Sequence, residues 1–236
     1  PSLERLLEPL MDKSPIILAL DSTDLRRCEE LIKQTKDSVS VYKLGLEFFN
    51  QNGASGVANL KERVGDFELF LDLKLHDIPN TVAGAARAIG FLKPRFLTVH
   101  ASGGRAMIES AAKELPNTAI TAVTVLTSLD NQELREMGLP EAAEIALSLA
   151  EIAVSAGATA IVTSPKEVAL LRARCAPNIK LITPGVRPTQ VNDDQARTAT
   201  PKEAISQGAD YLVIGRPITA ASDPGRAAAE IFASLA

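Results

Sequence analysis

The stretch ELFLDLKLHDIPNTV, Glu68 to Val82, begins as an apolar strand and then sets Asp72, Lys74 and Asp77 where more apolar side chains would continue it. In an extended strand residues two apart share a side, so Asp72 and Lys74 turn one way and Leu71, Leu73 and Leu75 the other. A lysine kept cationic by neighbouring carboxylates is a proton donor. A carboxylate fixed beside a bound substrate carboxylate destabilises that ground state and is relieved as CO₂ leaves. Similar groups close, interrupt or follow other apolar runs: Asp21 ends one, Lys43 interrupts one, His100 ends one, Thr127 with Ser128 follow one, and Gly215 with Arg216 end another. Gathered together, Asp21, Lys43, Asp72 and Lys74 would alternate two carboxylates with two ammonium groups, each stabilising the next. An isolated Asp/Lys pair is more often the mark of a structural ion-pair network. Four such groups ending neighbouring strands point instead to chemistry.

The elements that must position them recur along the chain. Eight β-branched or leucine-rich runs, at 16–21, 41–45, 69–75, 96–101, 119–126, 159–164, 179–184 and 211–215, are each followed by an amphipathic stretch of helical period. The helical pattern is clearest in EAAEIALSLAEIAVSAG, where Ile145, Leu149 and Ile152 share a face, and in GGRAMIESAAKEL. Gly157 and Gly208 sit where a left-handed residue ends a helix, and Thr200-Pro201 where one begins. Strict β-α alternation through eight units predicts a (β/α)₈ TIM barrel rather than an open doubly wound sheet. No linker or low-complexity tract divides the 236 residues, so residues 1–236 are read as a single domain. In such a barrel the strand ends converge on one rim, at the C-terminal mouth where active sites of this fold lie.

The loops after the seventh and eighth strands are the usual phosphate site of a barrel. Here they read ITPGVRP and VIGRP, so Pro184, Gly185, Arg187, the Gly215 amide and the Arg216 guanidinium form a candidate phosphate grip. A net charge of −4 with no Lys/Arg run argues against a nucleic-acid partner. No apolar run reaches the roughly 18 residues of a membrane span, and the N-terminus lacks a secretory pattern, so the expected location is cytoplasmic. Cys28 and Cys175 lie in no metal-binding or redox spacing and are read as plain thiols. His76 and His100 have no third ligand near them in sequence, so no metal site is expected; His100 is read as a rim hydrogen-bonding residue and His76 as facing away from Lys74.

DLKLHDIPNT resembles the signature of the orotidine 5′-monophosphate decarboxylase family, and LALD, YKLG, VHASGG, AVTVLTS, TPGVRP and VIGRPIT match it in the family's order over nearly the whole chain. The D-x-K-x-x-D core is shared with relatives acting on other sugar phosphates; HDIPNT and TPGVRP narrow the match. The resemblance implies decarboxylation of orotidine 5′-monophosphate to uridine 5′-monophosphate and CO₂, in pyrimidine synthesis, without a cofactor. It implies that Lys74 protonates C6, Asp72 sits beside the departing carboxylate, and Asp21 and Lys43 hold ribose hydroxyls. It further implies a homodimer with shared sites, into which Asp77, Ile78 and Thr81 reach from the neighbouring subunit. Thr127 and Ser128 match the loop at the pyrimidine edge, and Arg187, Gln195, Gly215 and Arg216 the phosphate positions, with Gln190 as the alternative to Gln195.

Two other readings stay open on sequence. One is a metal-dependent sugar-phosphate decarboxylase or aldolase in which Asp72 and an acid such as Glu47 ligate a divalent cation. The other is a catalytically silent barrel that binds nucleotides.

Overall fold

A computed structural model describes residues 14–187 and 199–235. Eight parallel strands close into a barrel in chain order: β1 (Ile16–Ala19), β2 (Val41–Gly45), β3 (Leu69–Leu75), β4 (Phe96–His100), β5 (Ala119–Val123), β6 (Ala160–Val162), β7 (Lys180–Thr183) and β8 (Tyr211–Ile214), with β8 pairing back onto β1. Around them run α1 (Leu25–Thr35), α2 (Leu46–Val64), α3 (Pro79–Ile89), α4 (Arg105–Glu114), α5 (Asn131–Glu136), α6 (Ala142–Ser155), α7 (Val168–Arg174), α8 (Pro201–Ser206), α9 (Arg216–Thr219) and α10 (Pro224–Ala233). All eight runs read from the sequence are strands, several of them shorter at the C-terminal end. The fifth stops at Val123 rather than at residue 126, because the chain leaves the ladder there to form the loop carrying Thr127.

Strand alternation divides the core in two. Ile16, Leu18, Leu44, Leu71, Leu97, Val99, Leu212 and Ile214 join the helices in an outer cluster. Ile17, Val41, Phe70, Phe96, Ala160, Ile182 and Tyr211 fill the barrel. At the N-terminal end of the strands the Phe96 ring lies 5.5 Å from Phe70 and 5.6 Å from Tyr211, and the Arg95 guanidinium stacks over Phe96 and Tyr211. This aromatic layer fills the floor of the barrel, below the polar side chains of the opposite mouth.

Helix ends follow the local chemistry. Thr200 and Glu203 form a capping box ahead of Pro201. Gly157 and Gly208 adopt φ of 94° and 106°, which disfavours any residue with a Cβ. Helix α6 forms where the helical period placed it. Its buried stripe is Ala142, Ala146, Ala150 and Ala153, while Ile152 is exposed and Ile145 and Leu149 are half-buried. Small side chains let this helix pack closely, and its larger apolar residues flank the contact instead of filling it.

Candidate active site

The mouth of the barrel holds a cavity of about 600 Å³ lined by Asp21, Lys43, Phe70, Asp72, Lys74, Thr127, Pro184, Arg187, Gly215 and Arg216, with apolar walls from β1, β5, β6 and β8. A second cavity, about 700 Å³, opens at the N-terminal strand ends among Lys36, Asp37, Lys61, Asp66, Glu68 and Lys93. It is the larger, but it holds none of the paired groups described below and lies opposite the catalytic face of this fold.

The four charged groups form one continuous chain. Lys43 Nζ lies 3.2 Å from Asp21 Oδ1 and 3.3 Å from Asp72 Oδ2, and Lys74 Nζ donates to Asp72 Oδ1 at 2.8 Å. Asp21 at one end is 62% exposed on its side chain, whereas Lys43 and Asp72 in the middle are 11% and 13% exposed. Burial is the strongest single influence on Lys43 and pushes its pKa down; Asp72 and then Asp21 outweigh it, so the ammonium titrates above the ordinary lysine range. Burial likewise opposes the charge on Asp72, but Lys43 and Lys74, with hydrogen bonds from Lys74 and Thr98, hold its carboxyl below the usual range. At neutral pH the pair stays ionised. Gly45, at the end of β2, leaves room for this: a Cβ there would come within 3.3 Å of Lys43 Nζ.

Asp72 and Lys74 meet, but not by simple alternation. The β3–β4 register pairs Leu71 with Leu97 and then Leu75 with Val99, so β3 carries an irregularity between Leu71 and Leu75. Within it Lys74 adopts φ 47°, a left-handed conformation costing a non-glycine residue about 1–2 kcal/mol. The Lys74 amide donates to Thr98 Oγ1 at 2.8 Å, and the same hydroxyl donates to Asp72 Oδ1 at 3.0 Å. Thr98 and Gly45 were not singled out from sequence. Alternation along β4 would have found Thr98, since it shares the inward side with Phe96 and His100.

Of the remaining candidates, Thr127 lines the cavity, and Ser128 is exposed and does not. Asp77, Ile78 and Thr81 are exposed outside it; Asp77 Oδ1 accepts the Ile78 amide at 2.6 Å just ahead of α3, and Ile78 is 66% exposed. Arg187 is anchored by its amide donating to Ala199 O at 3.0 Å, beside a Val186–Ala199 bridge. Gln190 and Gln195 lie outside the described residues. The His76 ring packs 5.4 Å from that of His100. Burial first, then His76 and Lys74, lower the His100 pKa. Glu47 is exposed and is not among the cavity-lining residues. Among the described residues no group of three or more His, Cys, Asp and Glu is placed to hold a metal ion, and no helix is long and apolar enough to cross a membrane. Burial raises the Cys28 thiol to about 12, so it is a poor nucleophile.

Residues 14–231 match the model of the orotidine 5′-phosphate decarboxylase / HUMPS family. The chain belongs to this family. The family's curated members include orotidine 5′-phosphate decarboxylases from Thermobifida fusca, 50% identical over 94% of this chain and 96% of that protein, and from Moorella thermoacetica, 47% identical over 94% and 92%. A crystal structure of orotidine 5′-phosphate decarboxylase from Lactobacillus acidophilus superposes with a TM-score of 0.82 at 36% identity, covering 94% of this chain and 98% of that one. One from Pyrococcus horikoshii gives 0.77 at 27% identity, covering 93% and 98%.

Proposed function

We propose that the barrel mouth binds orotidine 5′-monophosphate and converts it to uridine 5′-monophosphate and CO₂ as a step of pyrimidine synthesis, with no cofactor. The observation that carries this reading is the unbroken Asp21–Lys43–Asp72–Lys74 chain in a cavity that also offers Arg187, Gly215 and Arg216. A cavity of about 600 Å³ is of the size that encloses a small ligand.

In this reading the substrate carboxylate lies against Asp72. Lys43 and Lys74 hold Asp72 ionised, so its charge bears on the ground state and the strain falls as the C6–CO₂⁻ bond breaks. The electron pair left on C6 takes a proton from Lys74 Nζ; CO₂ departs and the lysine is left neutral. Asp21 and Lys43 hold the ribose hydroxyls, Thr127 and Ser128 meet the pyrimidine edge, and Pro184, Arg187, Gly215 and Arg216, with Gln195 or Gln190, grip the phosphate. Phosphate binding far from C6 supplies energy that organises the transition state.

Asp77, Ile78 and Thr81, exposed beside the mouth, complete the site of a second subunit in a homodimer. An exposed isoleucine at the start of α3 supports that assignment. The reading includes a single-domain chain acting in the cytoplasm on a free nucleotide, apart from nucleic acid and membrane. A metal-dependent reaction at Asp72 is disfavoured because both carboxylate oxygens already face ammonium groups, which a divalent cation would have to displace.

The test is Lys74→Ala. Turnover of orotidine 5′-monophosphate should fall to near background while uridine 5′-monophosphate still binds. Near-normal turnover would remove Lys74 from the proton-donor role.

A further inference from the structure

We infer that Thr98 is a positioning residue for the reaction, setting the backbone of the proton donor and the orientation of the carboxylate at once. Thr98 is fully buried on β4, in the barrel interior beneath the charged chain. Its hydroxyl is engaged twice at the reacting groups, accepting the Lys74 amide at 2.8 Å and lying 3.0 Å from Asp72 Oδ1. Leu71 O is also in reach, at 3.5 Å. A hydroxyl has one proton, and the nearer, charged acceptor takes it.

The double engagement matters because of where β3 breaks register. Between Leu71 and Leu75 the strand loses its regular pairing with β4, and the Lys74 amide is satisfied by a side chain of β4. That contact pins the left-handed turn at Lys74, which in turn directs Nζ back to Asp72 at 2.8 Å. Lys43 fixes the other oxygen of Asp72. Thr98 differs from Lys43 in holding the donor lysine through its backbone, so its loss frees both partners relative to each other without changing the charge of the site.

The inference rests on the decarboxylase reading above, and the test separates the two. Thr98→Val keeps the shape and the β-branch while removing both hydrogen bonds; Thr98→Ser restores the hydroxyl. Two readouts are taken: exchange of the Lys74 amide proton, and kcat with KM for orotidine 5′-monophosphate. The valine variant should exchange the Lys74 amide at least about fivefold faster, the scale of one neutral hydrogen bond, and lose at least about tenfold in kcat, the scale of one to a charged group, with KM changed less than about threefold. The serine variant should stay within about threefold of the parent in both.

Unchanged exchange in the valine variant overturns the positioning, whatever the enzyme turns over. Faster exchange with kcat within about twofold overturns the link to catalysis. Absence of turnover in the parent protein would sink the decarboxylase reading and, with it, the catalytic half of this inference, leaving exchange to decide the structural half. Should valine prevent folding, Thr98→Ala and Thr98→Ser form the comparison, and equal losses in the two overturn the inference.

Discussion

Replacing Lys43 by methionine removes the ammonium that bridges Asp21 and Asp72 while keeping most of the side-chain volume. Removing one partner of a buried ion pair costs about 3–5 kcal/mol because a charge is left uncompensated. Asp72 is that charge, and it keeps Lys74 at 2.8 Å and Thr98 at 3.0 Å. The cost should therefore lie near the lower figure, about 3 kcal/mol. Asp21, largely exposed, adds less than about 1 kcal/mol. Because the chain has no tryptophan, urea unfolding is best followed by circular dichroism at neutral pH. Two further measurements sharpen the test. Lys43→Met combined with Asp72→Asn should cost clearly less than the sum of the single changes, since the asparagine needs no counter-charge. The deficit of Lys43→Met should also shrink in acid. The depressed Asp72 pKa contributes stability above the unfolded value that is lost as pH falls through the folded one. A cost below about 1 kcal/mol with additive double-variant energies would refute the account of Lys43 as the counter-ion of Asp72.

Protonation of His100 opens a second window. Its lowered pKa means the unfolded chain binds the proton more tightly, so stability should rise with pH between the lowered folded value and about 6.5; His100→Asn should flatten that rise, and an unchanged slope would assign it elsewhere. Arg216→Ala should raise KM for the phosphorylated substrate by about tenfold, the lower end for a charge-assisted contact from an exposed side chain, with little change in the binding of uridine; an unchanged KM would sink the phosphate assignment. Mixing inactive Lys74→Ala subunits with inactive Asp77→Ala subunits should restore activity, because one hybrid site regains both residues; no recovery in verified heterodimers would count against shared sites.

The barrel was legible because each strand carries its own apolar run and each helix its own punctuation. The residues at the mouth were legible because a charged side chain inside an apolar run has few structural explanations. The left-handed turn at Lys74 was not, since strand alternation contains no information about a register shift against β4. Alternation and the bulge both bring Lys74 to Asp72, but only the bulge calls for the Thr98 hydroxyl. The packing of α6 was not legible for a related reason: periodicity identifies which residues share a face, and Ile145, Leu149 and Ile152 do, but it does not tell that the buried stripe is the alanines Ala142, Ala146, Ala150 and Ala153. Asp77, Ile78 and Thr81 show the limit most plainly. Asp77 Oδ1 accepts the Ile78 amide ahead of α3 and the exposed Ile78 agrees with a place in a neighbouring site, but no strand or helix pattern pointed there, and the assignment was first given by family resemblance.

The most direct measurement is the ultraviolet absorbance of orotidine 5′-monophosphate incubated with the purified protein in excess chelator. The account predicts conversion to uridine 5′-monophosphate at a rate the chelator does not change. No conversion by folded protein, or conversion that the chelator abolishes and a divalent cation restores, would contradict it.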